Sequence, residues 1–412
     1  MDVHIHKNCS RTPSNFERED RPLTIANLRM SSIVEIEQGI DSLLTASPYG
    51  MDSGRRRSTL LGLLKNEIAH ACERNAGFRN YVEHWPIPFN DANDIAELPY
   101  LPVGVFKANP PLALVPPEEV KRTLSSSATT GQVPSRIVLD AATSRRMAKG
   151  ALTIVRDFIG PARRPYLVVD TPENLAAQGQ IGARGAAIQA LRSFATEIVC
   201  CLRPGDGGSS ELELEKLLSC AEKWKDNEVL VYGFTYVIWT QLVQPLQRLG
   251  VTLDLPNVRV LHSGGWKRLE QQSVTRDVFN RGVASIFRCS PSHITDYYGM
   301  VENVGVIYPD CEQGNKHVPA FADVIIRDPL TLAPVGPGHK GLIQVCSALP
   351  TSFPGYLLLT EDTAEVISED GCPCGRKGPS FRFAGRVPRA EVRGCGNLES
   401  TRHRELQMSG VA

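Results

Sequence analysis

The feature that most constrains the fold is an alternation of short apolar runs with helix-like segments in the middle of the chain. The apolar runs resemble buried parallel strands and lie at residues 166–170, 197–199, 229–233 and 258–262. The helix-like segments lie at 145–158, 181–194, 212–224 and 235–249. This alternation predicts an α/β fold, with parallel sheets flanked by helices and ligands beyond the carboxyl ends of the strands.

A different pattern follows residue 320. Strand-and-turn segments at 322–326, 341–345 and 363–367 predict a smaller β-rich subdomain at 320–384, inside a core domain at 31–384. Residues 1–30 are polar and predict a disordered N-terminal extension. Residues 385–412 are expected to form a hinge and a short tail.

Charge and cysteine content exclude several classes of protein. The 45 basic and 45 acidic residues balance, so no global field favours a nucleic-acid partner. No apolar run predicts a membrane span, and the N-terminus lacks the apolar core of a signal peptide. The 11 cysteines are odd in number and scattered, which favours reduced thiols in the cytoplasm over a disulfide framework.

A run of small and hydroxyl-bearing residues at 125–131 is the first candidate ligand-binding segment. It reads Ser-Ser-Ser-Ala-Thr-Thr-Gly and leads to a strand-like run at 136–139. Small side chains allow backbone N–H groups and hydroxyls to converge on phosphate oxygens. The alternative for any isolated run of this kind is a solvated Ser/Thr linker.

Further motifs downstream carry polar groups at strand ends. They are Tyr-Gly-Met-Val-Glu at 298–302, Thr-Glu-Asp at 360–362, Cys-Pro-Cys-Gly-Arg-Lys-Gly at 372–378 and Gly-Arg at 385–386. Alone, a Tyr-Gly pair is typical of a strand-end turn, and Thr-Glu-Asp is typical of a helix cap. The inference therefore depends on their ordered occurrence together with the hydroxyl loop.

In this order and at these separations, the motifs resemble those of adenylate-forming enzymes. Within that superfamily the chain is most similar to LuxE-type acyl-protein synthetases, which are related to phenylacetate–CoA ligase, over roughly residues 60–397. Further matching segments are Leu-Pro-Val at 101–103, Tyr-Gly-Phe-Thr at 232–235, Leu-Pro-Thr-Ser-Phe-Pro-Gly at 349–355 and Arg-Ala-Glu-Val-Arg-Gly-Cys at 389–395. The resemblance implies an adenylate-forming core with a truncated C-terminal mobile domain.

The resemblance also implies that ATP and Mg²⁺ are bound. Glu302 would bind Mg²⁺, a hard cation that prefers oxygen ligands. Arg136 would supply positive charge near the phosphates. The phosphate-binding residues themselves would be Ser126, Ser127, Thr129, Thr130 and Gly131.

The nucleoside has its own expected contacts in this family. Tyr298, followed by Gly299, would pack against the adenine or ribose, and Asp362 would accept hydrogen bonds from the ribose hydroxyls. Arg386 would contact ribose or phosphate as a catalytic residue. Gly264 and Gly265 would form the floor beneath the adenine.

The acceptor of the acyl group is expected to be a thiol. In the family pattern Cys395 takes the acyl group as a thioester, before an acyl-reductase or carrier protein receives it. The neighbouring Arg393 favours the thiolate, although an incidental surface cysteine is the alternative. The short tail after Cys395 weakens a second hypothesis, an acyl- or aryl-CoA ligase. Ala128, where the family usually has Gly, favours a third, a non-catalytic partner-binding module.

Two further groups of residues complete the candidate sites. Cys311 and His317 with the Cys372–Cys374 pair form a Cys₃His set that predicts a structural Zn²⁺ site, or else buried inert thiols. Phenylacetate–CoA ligase-like relatives have a similar arrangement. The carboxylic acid substrate, fatty or aryl, is expected to contact residues around two strand ends. These candidates are Tyr232, Phe234 and His262, although a strand-end histidine is more often a hydrogen-bonded structural residue.

Overall fold

A computed structural model describes residues 33–126, 133–176, 183–205, 209–266, 271 and 273–387. All of them belong to the unit Ser31–Ala412. The helices are α1 (Ile33–Thr45), α2 (Ser53–Arg74), α3 (Ala76–Glu83), α4 (Ala141–Ile159), α5 (Pro172–Ala176), α6 (Ala183–Ala190), α7 (Leu214–Trp224), α8 (Thr235–Val237), α9 (Gln244–Leu249) and α10 (Arg276–Phe287).

The first nine strands precede residue 264. They are β1 (Leu101–Pro102), β2 (Arg122–Ser125), β3 (Arg136–Leu139), β4 (Arg164–Val168), β5 (Ala195–Cys200), β6 (Leu202–Pro204), β7 (Ser210–Leu212), β8 (Leu230–Phe234) and β9 (Arg259–Ser263). The remaining strands are β10 (Ile294–Gly299), β11 (Ile307–Pro309), β12 (Lys316–His317), β13 (Ala322–Arg327), β14 (Lys340–Ser347), β15 (Leu357–Ser368) and β16 (Ser380–Arg386).

The apolar runs form a parallel sheet in the order β5-β4-β8-β9-β10, with β11 added antiparallel to β10 at one edge. In the register of this sheet, Tyr232 of β8 lies opposite Leu261 of β9, and His262 of β9 lies opposite Asp296 of β10. β4 and β8 are buried along their whole length, which explains their mainly apolar sequences, and the one charged residue, Arg164 at the start of β4, pairs with Glu228. The predicted parallel sheet is confirmed.

The segment after residue 315 builds the second large sheet, in the order β12-β16-β15-β14-β13 with antiparallel pairing. β1 adds to it in parallel to β15, pairing Leu101 with Leu358. β15 is one continuous strand, so Thr360–Asp362 lie inside it, where Asp362 is opposite Arg386 of β16.

Two hydrophobic cores stabilise these sheets. One joins α1–α3 to the antiparallel sheet, and the other packs helices against the parallel sheet. α4 contributes to both, through Ile154 in the first core and Val155 and Ile159 in the second. Its N-cap, Asp140, accepts a hydrogen bond from the Thr143 N–H, so the helix begins directly after β3.

Some predicted helices have different boundaries in the structure. The segment predicted at 235–249 is interrupted by a π-helical turn at Ile238–Val243, just before Pro245. Proline has no N–H to donate and its ring clashes with the preceding turn, which accounts for the widened turn. The segment predicted at 212–224 begins only at Leu214, because Ser210–Leu212 pairs with Leu202–Pro204 as a short hairpin.

Candidate functional site

Three of the predicted nucleotide-binding residues meet where the two sheets adjoin. Tyr298, at the carboxyl end of β10, donates its hydroxyl to Asp362 Oδ2 at 2.9 Å. Arg386 Nε donates to Asp362 Oδ1 at 3.0 Å from the neighbouring strand β16. The Asp362 side chain is 12% exposed and that of Arg386 is 70% exposed. A partly covered carboxylate, a cation and an aromatic ring therefore share one place at the surface.

Aromatic packing fixes the ring of Tyr298. Phe383 of β16 stacks on it with ring centroids 5.3 Å apart, and Tyr308 of β11 stacks with centroids 5.9 Å apart. Burial, followed by the charge of Asp362, raises the pKa of Tyr298 well above its usual value. Tyr298 is therefore a neutral hydrogen-bond donor at physiological pH, with its orientation set from both sheets.

Glu302 lies in the turn that follows β10 and is only 7% exposed. Gly305 brings this turn against α4. It has a φ of +73°, and a Cβ there would lie 2.6 Å from Met147 Cα. A larger residue would push the turn that carries Glu302 away from α4.

The hydroxyl loop leaves from the end of the β2–β3 hairpin. Ser126 N–H donates to Ser135 O at 3.0 Å, and Ser135 N–H donates to Ser126 Oγ at 2.9 Å. Ser126 thus closes the base of the loop with its own hydroxyl. Arg136 Nη2 donates to Ala108 O at 3.2 Å, which ties the hairpin to the preceding segment.

Gly264 and Gly265 follow β9 with φ angles of +86° and +56°. A Cβ at Gly264 would also lie 3.1 Å from the Phe234 ring. The first glycine is therefore required both by the backbone conformation and by a close aromatic neighbour. Together they turn the chain sharply at the end of the strand.

The predicted acid-binding residues Tyr232 and His262 are buried near the ends of β8 and β9. Tyr232 Oη lies 3.1 Å from Tyr297 Oη and 3.4 Å from Ser263 Oγ, which makes a cluster of three hydroxyls. Phe234 contacts the Tyr236 ring edge-on, with centroids 6.4 Å apart. The strand ends therefore combine aromatic surface with a few polar groups, as small-molecule sites do.

The hydrogen bonds of His262 define its tautomer. Thr235 Oγ1 donates its only proton to Ser263 O at 3.1 Å, so it accepts from His262 Nδ1 at 2.9 Å. Burial lowers the pKa of His262 to about 4, although nearby Asp296 acts to raise it. The imidazole is therefore neutral with its proton on Nδ1. Within the part of the chain that the structure describes, Nε2 is buried without a hydrogen-bond partner.

A network of charged side chains adjoins β10, the strand that carries Tyr298, and it was not predicted from the sequence. Lys316 Nζ lies 2.8 Å from Asp296 Oδ2 and 3.0 Å from Asp310 Oδ1, and Arg276 Nε lies 2.9 Å from Asp310 Oδ2. Burial opposes the charge of Lys316, but Asp296 and Asp310 raise its pKa overall. The one available signal was Asp296 inside a strand-like run, because aspartate is depleted in strands.

The Cys₃His residues converge although they are separated in sequence. The ligand atoms of Cys311, His317, Cys372 and Cys374 all lie within 4.8 Å of one another. Cys311 Sγ is 3.8 Å from Cys372 Sγ, and Cys374 Sγ is 3.2 Å from His317 Nε2. Four zinc–ligand bonds of 2.0–2.3 Å in a tetrahedron require ligands roughly 3.3–3.8 Å apart, so the donor set suits Zn²⁺ with inward shifts of about 1 Å at its widest pairs.

The family model described as "Acyl-protein synthetase, LuxE" matches residues 24–403. The chain belongs to this acyl-protein synthetase family. The family prediction made from the ordered motifs is thereby confirmed.

Relatives of this LuxE-family protein include two long-chain-fatty-acid–luciferin-component ligases. The one from Vibrio harveyi is 24% identical over 363 residues, which cover 86% of this chain and 91% of the relative. The one from Aliivibrio fischeri is 24% identical over 330 residues, covering 78% and 82% respectively.

Solved structures with the same fold include 2-hydroxyisobutyryl-CoA ligase. Its open conformation, in complex with 2-HIB-AMP and CoA, aligns with a TM-score of 0.62 at 18% identity and covers 83% of this chain and 77% of the ligase. The same ligase in the thioesterification state gives a TM-score of 0.63 at 17% identity, with coverage of 83% and 70%. These likenesses establish the adenylate-forming fold of the LuxE-family chain.

Several predicted residues of this LuxE-family chain lie outside the described ranges. They are Ser127, Thr129, Thr130, Gly131 and Cys395. The structure brings together Tyr298, Asp362 and Arg386, and separately the four metal-ligand candidates. Among the described helices, none is long and apolar enough to cross a membrane.

Proposed function

We propose that this LuxE-family protein activates a carboxylic acid with ATP and transfers the acyl group to a thiol. In the first step a carboxylate oxygen attacks the α-phosphorus of ATP, and the bond to pyrophosphate breaks. In the second step a thiolate attacks the acyl carbonyl and AMP leaves. The observation that carries this proposal is the contact of Tyr298 and Arg386 with Asp362 at the junction of the two sheets.

Asp362 can hold the ribose without losing its present partners. Each carboxylate oxygen accepts one hydrogen bond, from Tyr298 or from Arg386, and retains capacity for a ribose hydroxyl. The half-buried ring of Tyr298, packed against Phe383 and Tyr308, would contact the nucleoside with the part that remains exposed. Arg386 would keep its Nε on Asp362 while its terminal nitrogens face a phosphate or the charge that develops on it.

The phosphates and the metal would be held on the other side of the nucleoside. Glu302 supplies a carboxylate suited to Mg²⁺, which would neutralise charge on the phosphates. The hydroxyl loop, with its base closed by Ser126, would supply donors from Ser127, Thr129, Thr130 and Gly131, assisted by Arg136. Gly264 and Gly265 would lie beneath the adenine.

The acid would enter beside Tyr232, Phe234 and His262. The names of the two luciferin-component ligases favour a long-chain fatty acid as the substrate, with an aryl acid as the second possibility. The same names support a protein acceptor, here an acyl-reductase or carrier protein, with Cys395 as the first thiol to be acylated. A reduced thiol at Cys395 is consistent with a cytoplasmic location.

We further propose that Cys311, His317, Cys372 and Cys374 hold a structural Zn²⁺. The site has four protein ligands and therefore no open position, which is the pattern of structural rather than catalytic zinc. When bound, the ion would cross-link the segment after β11 to the turn between β15 and β16.

Acid-dependent ATP–pyrophosphate exchange, measured over a panel of fatty and aryl acids, tests the first step. We expect exchange with at least one acid. Intact-mass analysis then tests the second step, because the wild type should gain one acyl group that Cys395→Ser does not, while Cys9→Ser serves as the matched control. Exchange without a mass gain would indicate that CoA or a carrier, rather than Cys395, accepts the acyl group. ATP binding without exchange would favour a non-catalytic module.

A further inference from the structure

Lys316 is a buried cation that the proposed chemistry does not use. Only 4% of its side chain is exposed, yet its ammonium contacts the carboxylates of Asp296 and Asp310. Asp310 is also paired with Arg276, so two cations and two anions balance. Removing a charge from water is costly unless it is well paired, so this arrangement holds its members tightly in place.

The network connects the two sheets at the nucleotide site. Lys316 belongs to β12 of the antiparallel sheet, where it is opposite Phe381 of β16. Asp296 belongs to β10 of the parallel sheet, two residues before Tyr298. The Asp310 N–H also donates to Asp296 O at 2.8 Å, which fixes the same stretch of β10 through its backbone.

Lys316 joins β12 to β10, and β12 pairs with β16, so the contact links the two strands that carry Tyr298 and Arg386. Tyr298 lies on β10, and Arg386 lies on β16, while their common partner Asp362 lies on β15 beside β16. The hydrogen bond from Tyr298 to Asp362 crosses from one sheet to the other, so it depends on how the sheets are set against each other.

We propose that Lys316, through Asp296, is a positioning residue for nucleotide binding. It holds β10 against the antiparallel sheet so that Tyr298 and Asp362 meet in the geometry that the ribose requires. This inference rests on the proposed function. It predicts that loss of the Lys316–Asp296 pair weakens ATP binding in the ground and transition states alike, which raises KM for ATP and leaves kcat nearly unchanged.

The test uses Lys316→Met, Asp296→Asn and the double variant in the full-length protein, with pyrophosphate exchange and thermal unfolding as readouts. Lys316→Met leaves Asp296 without its cation, and Asp296→Asn leaves the buried Lys316 with Asp310 alone, so each single variant should unfold at a lower temperature. In the double variant both charges are gone, so the unfolding temperature should recover relative to the singles. We expect KM for ATP to stay raised by about tenfold in all three.

The KM for ATP and the unfolding temperature together distinguish a positioning role of the Lys316–Asp296 pair from a purely structural one. A double variant that recovers its unfolding temperature and also regains the wild-type KM for ATP overturns the proposal, because the pair would then be structural only. A raised KM that persists after the temperature recovers supports it. Arg276→Met is the matched control, because Arg276 is 45% exposed and pairs with Asp310 rather than with Asp296; its KM for ATP should equal that of the wild type.

Lys316→Met could also disturb His317, the neighbouring candidate metal ligand, and Asp296→Asn controls for that effect. Asp296→Asn removes the same ion pair from the other sheet, and its KM for ATP should rise to the same extent as that of Lys316→Met. The failure of the wild type to catalyse exchange with any acid would contradict the proposed function itself. If the wild type catalyses exchange and folded Asp296→Asn keeps the wild-type KM for ATP, the result contradicts this inference but not the proposed function.

Discussion

Charged side chains are buried at the carboxyl end of the parallel sheet and exposed at its amino end. At the carboxyl end, Lys316 and Asp310 are 4% and 5% exposed and tie two sheets together. At the amino end, Lys223 and Glu197 form an ion pair at 2.7 Å with exposures of 62% and 37%. The pair borders a cavity of about 320 Å³ that is also lined by Arg164 and Trp224. Burial makes the first network a determinant of geometry, whereas solvent screens the second.

This contrast agrees with the general location of ligand sites in α/β folds. Ligands bind beyond the carboxyl ends of parallel strands, where loops and a second layer of structure can surround them. Here Tyr298, Asp362 and Arg386 meet at that end, and the Cys₃His cluster lies next to the same charged network, since Cys311 follows Asp310 and His317 follows Lys316.

Loss of the proposed Zn²⁺ should have the largest effect at the carboxyl end. We expect chelation, or Cys374→Ser, to lower the free energy of unfolding by ~5 kcal/mol or more, because zinc binding contributes directly to folding. Denaturant unfolding with elemental analysis measures this. Cys289→Ser, a half-buried cysteine away from the cluster, is the control and should cost about 1 kcal/mol. If the purified protein contains no zinc and chelation leaves its free energy of unfolding unchanged, the Zn²⁺ proposal is wrong.

The second prediction compares histidines at the two ends of the sheet. Burial lowers the pKa of His262 to about 4, so the unfolded chain takes up the proton first as pH falls. Its contribution to stability is present above about pH 6.5 and is lost between pH 6.5 and pH 4, by about 3 kcal/mol. His262→Asn should therefore lose less stability than the wild type between pH 7 and pH 4.5 in urea unfolding.

His293 at the amino end is the matched control for this experiment. Burial also lowers the pKa of His293, but its environment is more open. His293→Asn should therefore change the pH dependence of unfolding less than His262→Asn does. Equal effects of the two substitutions would contradict the contrast between the two ends of the sheet.

Sequence patterns predicted the parts of this molecule that depend on local chemistry. The apolar runs of β4, β8 and β9 identified the parallel sheet, because strands buried on both faces are mainly apolar. The motif residues Tyr298, Asp362 and Arg386 were identified through their family resemblance, and the structure brings them together.

The network around Lys316 could not be predicted in the same way. Its members come from α10, β10, the end of β11 and β12, and apart from the position of Asp296 inside a strand-like run, nothing in the local sequence distinguishes them from surface charges. Only the packing of the two sheets makes them partners. The convergence of Cys311 with Cys372 likewise depends on the pairing of β12 with β16.

The third prediction concerns the nucleotide-binding residues directly. Asp362→Asn should lower kcat/KM for ATP by about 100-fold, because hydrogen bonds to a charged group contribute about 1.5–3 kcal/mol each. Tyr298→Phe keeps the stacked ring and loses only the hydroxyl, so we expect about a fivefold loss. Exchange kinetics measure both, and a larger loss in Tyr298→Phe than in Asp362→Asn would reverse the roles assigned to them.

The smallest effect is expected at the amino end. Lys223→Met removes an exposed ion pair but leaves the hydrogen bond from Trp224 Nε1 to Glu197 in place. We expect a change of less than about 1 kcal/mol in the free energy of unfolding, and exchange activity equal to that of the wild type. A loss of activity in this variant would show that the amino end also takes part in function.

The most direct test of the central claim is a crystal structure with a non-hydrolysable acyl-sulfamoyl adenosine. The account predicts that the ribose hydroxyls lie about 3 Å from the Asp362 carboxylate, with the nucleoside against Tyr298 and Arg386 beside it. Adenosine bound elsewhere, with Asp362 contacting only Tyr298 and Arg386, would contradict it.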